Sequence, residues 1–145
     1  MVCGELTKPQ YEKVLAFSIR HSQSFGVSVF KGVHKKHLQP SYFDFFDSMA
    51  PYEEDKYQYA LQQHYQKGQS FRIFRLNEAS ISFLQKCRSF WDWELPALPE
   101  DLSFYRDHKV WLNCITHERM IIVDILDEKV SAFLSGTGIN LRALS

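Results

Sequence analysis

Residues 94–125 read ELPALPEDLSFYRDHKVWLNCITHERMIIVDI, and this stretch decides the fold. Three strand patterns, Ser103–Arg106, Val110–Ile115 and Met120–Ile125, are separated only by a turn at Asp107-His108 and a connection at Thr116–Arg119. Gaps this short join neighbours as hairpins, so the spacing predicts a three-stranded antiparallel meander. The same stretch gathers Glu100, Asp101, Arg106, Trp111, His117 and Glu118, the polar and aromatic groups that strand geometry could bring together.

Upstream of the meander, Asn77 and Glu78 open a helix whose stripe is Phe83, Leu84, Cys87, Phe90 and Trp91, ended by Pro96 and Pro99. Phe71–Leu76 alternates as a strand before it. A helix is expected from Pro51, with Glu53, Glu54 and Asp55 in its first turn and Lys67 and Gly68 at its end. Its inward residues would be Tyr57, Ala60, Leu61, His64 and Tyr65. Pro40 starts a shorter helix with Tyr42, Phe45, Phe46 and Met49 on one face. Gly32 to Gln39 is a polar, basic connection, Phe25–Phe30 a β-branched strand, and Pro9 to about His21 a first helix. Downstream, Asp127 caps a last helix bearing Val130, Phe133 and Leu134, closed by Gly136. Helices and strands mix without β-α-β alternation. The expectation is therefore one α+β domain over residues 1–145. It would hold a mostly antiparallel sheet of about five strands with helices on at least one face, and residues 1–7 and 137–145 loosely ordered.

At 145 residues, 45% hydrophobic and 15% aromatic, the chain has the makings of a single packed core. Seventeen basic and seventeen acidic residues cancel, which argues against a nucleic-acid or membrane-surface partner. The charge is uneven, with six cations against Glu5 and Glu12 in residues 1–40. Asp44, Asp47, Glu53, Glu54 and Asp55 then stand against Lys56 in residues 41–60. Cys3, Cys87 and Cys114 are odd in number and unpatterned, which fits a reducing compartment. No apolar run reaches the ~20 residues of a membrane helix, so a soluble, cytoplasmic protein is expected.

Each chemical candidate has a plainer alternative. His117 beside Glu118 could be a general base with its orienting carboxylate, or simply a solvated turn pair. Glu100 and Asp101 could hold a cation, or Asp101 could accept N–H bonds in the turn set by Pro99. Arg106 and Trp111 could stack across the Asp107-His108 turn, as cross-strand structure or as a recognition surface. His34-x-x-His37 lacks a second ligand pair at supporting spacing. Cys87 and Cys114 fall within apolar patterns. The plainer reading is favoured throughout, so no catalytic residue, metal or cofactor is expected.

The run LPEDLSFYR, then Trp111, then His117-Glu118, resembles a family of small bacterial proteins with an L-P-E-D-hydrophobic-x-F-aromatic stretch, a following tryptophan strand and an H-E turn. Some members carry the label of a stage III sporulation protein of the AH type. The resembling positions are Leu98, Pro99, Glu100, Asp101, Leu102, Phe104, Tyr105, Arg106, Trp111, His117 and Glu118. The resemblance implies a bacterial source and covers the second half of the chain, but brings no activity with it. The function expected is a non-catalytic protein-binding module, such as an immunity or antitoxin-type inhibitor. Its acidic block would suit a basic protein partner. The competing expectation is an enzyme, metal-assisted in one form, with a site at Asp101, His117 and Glu118.

Overall fold

The computed structural model describes residues 1–59 and 69–143. In chain order its elements are β1 (Val2–Cys3), α1 (Lys8–His21), β2 (Ser24–Phe30), α2 (Pro40–Met49), β3 (Glu53–Glu54) and β4 (Gln69–Arg75). There follow α3 (Glu78–Lys86), β5 (Glu100–Arg106), β6 (Lys109–Ile115), β7 (Met120–Val123) and α4 (Glu128–Ser135). The strands form one antiparallel sheet in the order β1-β7-β6-β5-β2-β4-β3. This is the expected α+β architecture, with the meander β5-β6-β7 at its centre. Among the described residues the strands number seven rather than about five. The additions, β1 and β3, are two residues each, too short to carry a periodic signal.

One face of the sheet carries the main core. Phe25, Phe74, Phe104, Leu112 and Val123 meet along one row of the ladder, and the buried apolar residues of α1, α2, α3 and α4 join that cluster. Side-chain caps start α1, α3 and α4. Thr7 and Gln10 close a capping box on α1, and Asn77 and Ser80 another on α3. Asp127 accepts from two backbone N–H groups to start α4. The second face carries a smaller cluster of Tyr59, Phe71, Ile73 and Tyr105. Gly26 lies under that face, where a Cβ would come within 2.9 Å of the Tyr105 ring.

Three expectations need correction. The helix from Pro51 does not form over the described part. Tertiary pairing takes Glu53 and Glu54 onto β4, and Asp55 instead caps a tight turn at Lys56–Gln58. Tyr57, expected to face inward, is 85% exposed, and the remainder of that helix lies outside the described residues. The stripe from Phe83 to Trp91 is not one helix. Asp92 takes the Arg88 N–H and Ser89 takes the Trp91 N–H, so α3 stops at Lys86 and a separate turn buries Phe90. Trp93, rather than Trp91, becomes the fully buried tryptophan there. Finally, residues 1–7 include β1, and Val2 exchanges both backbone bonds with Arg142 from the tail.

Candidate functional site

β5 runs from Glu100 to Arg106, so the six singled-out residues fall at opposite ends of the meander, about 20 Å apart at strand rise. The structure gathers them into two groups.

At the first end, Asp101 interrupts the strand with a φ of 60°, next to the point where β5 slips register against β2. Such an irregularity re-aims side chains that would otherwise alternate. Asp101 is only 7% exposed. Its Oδ1 accepts the Thr116 N–H at 2.8 Å, and its own N–H donates to Thr116 Oγ1 at 3.4 Å. Thr116 in turn donates its hydroxyl to the Trp93 carbonyl at 3.0 Å. Thr116 begins the turn between β6 and β7, which holds His117 and Glu118 exposed with Nε2 and Oε1 3.8 Å apart. A carboxylate oxygen from each of Glu100 and Asp101 and a ring nitrogen of His117 all lie within 4.8 Å of one another. Burial raises the Glu100 pKa, helped by Asp101 and Glu94 and opposed by the Leu95 N–H and His117. Burial also raises that of Asp101, against the bonds from Thr116. Arg119 stands beside the group with its guanidinium on the Thr116 carbonyl and on Glu94.

At the second end, Arg106 donates to the His21 carbonyl at 2.8 Å, and Trp111 donates its indole N–H to Ser22 Oγ at 2.8 Å. The expected Arg106–Trp111 stack is not among the cation–π contacts of the described residues. Trp111 is instead 5% exposed, edge-on to Phe17 and His21. The buried His21 Nε2 meets Asp127 Oδ2 at 2.7 Å. Burial pushes the Asp127 carboxyl up, but bonds from His21, Val130 and Lys129 outweigh it and hold the group below its ordinary range. Neither half of the His21–Asp127 pair stood out in the sequence as more than a helix terminus.

A third feature had no sequence signal. A groove of about 700 Å³ runs between α1 and the end of α3, floored by Tyr11, Leu15, Ile19 and Cys87. Its rim holds Lys8, Lys86 and Arg88 against Glu12. A smaller hollow that reaches on to Trp91 adjoins it, sharing Lys8, Tyr11 and Arg88. Burial pushes the Cys87 thiol up to about 12, which disfavours the thiolate form at this wall of the groove. Cys3 is pushed up to about 11 by the same cause, and Cys114 is also well above its usual value.

The acidic block is largely committed to the fold. Glu53 binds Arg72 through both oxygens, Glu54 accepts the Tyr59 hydroxyl at 2.8 Å, and Asp55 is a cap. Asp44 and Asp47 remain exposed on α2, beside the 37% exposed Phe43. No helix among the described residues is long and apolar enough to cross a membrane. No protein-family model, no curated protein and no solved structure matches the chain.

Proposed function

We propose that the protein is a non-catalytic binding module, of the kind represented by immunity proteins and antitoxins, which acts by occupying another protein. The observation that carries this reading is the groove along α1. Its floor is apolar, its volume is in the range of sites that bury a ligand side, and its walls come from α1, the last turn of α3 and the two residues that follow it. The excess of cations on the rim suits a partner segment with apolar anchors and acidic flanks. The basic partner expected from the acidic block has less to hold, since only Asp44 and Asp47 are left uncommitted by that block. The enzyme alternative would need Asp101, His117 and Glu118 in one cleft. Asp101 is buried and held by Thr116, while Glu118 extends from an exposed turn.

The test is quantitative capture from the native cell with three baits. They are the unchanged protein, a Lys86→Glu/Arg88→Glu variant in the groove, and an Asp44→Lys/Asp47→Lys variant on α2. An acidic partner captured at near-equal amounts, lost with the groove variant and kept with the α2 variant, is the expected result. Loss with the α2 variant alone would move the interface to the acidic block and sink the groove.

A further inference from the structure

Glu100, Asp101 and His117 come from two elements sixteen or more residues apart in sequence, yet their donor atoms share one small volume. Three features distinguish them from an ordinary acidic surface. One donor is an imidazole, the ligand that borderline metals prefer over a purely oxygen shell. A second, Asp101, is more than nine-tenths buried, with one oxygen already oriented by the Thr116 N–H. Such a bond to a ligating carboxylate fixes its direction, as outer-shell partners of metal ligands do. The third, Glu100, is half-buried in the same strand, turned toward Asp101 at the interruption of β5.

We propose that Glu100, Asp101 and His117 form a binding site for one divalent ion of the zinc class. Donor atoms around a tetrahedral zinc ion sit about 3.4 Å apart. The spread of 4.8 Å therefore closes with a modest adjustment, and His117, on an exposed turn, is free of the packing that would prevent it. Three protein ligands leave a position for water or for a donor from a bound molecule. Bound metal would clamp the start of β5 to the β6–β7 turn and neutralise the two carboxylates that burial and mutual repulsion now disfavour. His34 and His37 are neighbours in sequence, whereas Glu100 and His117 meet only because β5 lies beside the strand that leads into the β6–β7 turn.

The experiment uses chelator-treated, metal-free full chain titrated with zinc chloride by calorimetry, with thermal unfolding followed in parallel. The expected result is one equivalent bound and a raised Tm. His117→Ala and Glu100→Gln should each weaken binding at least tenfold, while both fold normally in the metal-free state. A His34→Ala/His37→Ala variant should bind as the unchanged protein does. Any other pattern overturns the proposal: no uptake, uptake that survives loss of His117 or Glu100, or uptake that depends on His34 and His37.

Discussion

The two ends of the meander are built from similar residue types and come out differently. At the Arg106 end every singled-out polar group has met a complement. The guanidinium is on the His21 carbonyl, the indole on Ser22, and His21 on Asp127. At the Glu100 end Asp101 gives one oxygen to the Thr116 N–H, yet two carboxylates and an exposed imidazole still converge, and the nearby Arg119 is spent on Thr116 and Glu94. A satisfied polar network holds a fold together, whereas donor atoms left converging have capacity to bind something else. The same contrast explains why Trp111, the most conspicuous aromatic of the motif, belongs to the scaffold.

The largest expected effect is at the satisfied end. Trp111→Ala removes a buried ring that touches Phe17 and His21 and leaves Ser22 without its donor, at a cost of roughly 3–5 kcal/mol. Denaturant unfolding measures it. A loss below about 1 kcal/mol would mean the ring is peripheral after all.

At the other end, Asp101→Ala leaves the buried Thr116 N–H without an acceptor and should cost roughly 1–3 kcal/mol. Asp101→Asn keeps an acceptor oxygen and suits the positive φ, so near neutral pH it should be at least as stable as the unchanged protein. If Asn were as damaging as Ala, the charge itself would be holding the turn, and the contrast between the two ends would fail.

The smallest effect is in the pH dependence of stability, where the ends should act with opposite sign. The Glu100 and Asp101 carboxyls titrate above their unfolded values. In metal-free protein the native state therefore takes up their protons first, and stability rises as pH falls toward about 4. Asp127 titrates below its unfolded value, so its contribution is present above about 4 and is lost as pH falls through the lower, folded pKa. Unfolding curves from pH 7 to pH 3 should show the gain shrink in Glu100→Gln and the loss shrink in Asp127→Asn. A shared sign at both ends would break the comparison.

Much of the fold was legible because it rests on local rules. The meander followed from turn spacing, α1 from its proline start, and α4 from its aspartate cap. The helix expected at Pro51 failed because three acids after a proline look like a helix start, while Glu53 and Glu54 find better partners on β4. The long stripe after Asn77 failed because Ser89 and Asp92 bond to backbone N–H groups that a helix would have needed. Of the site, the residue types and the nearness of Asp101 to His117 were legible, and Glu100 in place of Glu118 as the third member was not. Asp101 with Thr116, Glu100 with His117, and His21 with Asp127 are pairings made by strand register and helix docking, which leave no trace in spacing. The groove is less legible still, since its floor reads as ordinary core pattern.

The bridge between Val2 and Arg142 has a mechanical consequence. Its two bonds, 2.8 and 2.9 Å long, join antiparallel segments whose outward ends lie on the same side. Force drawing those ends apart would load the bonds one after the other, as a zipper is opened, instead of together in shear. This closure therefore resists such a pull less than the same two bonds would in a shear arrangement.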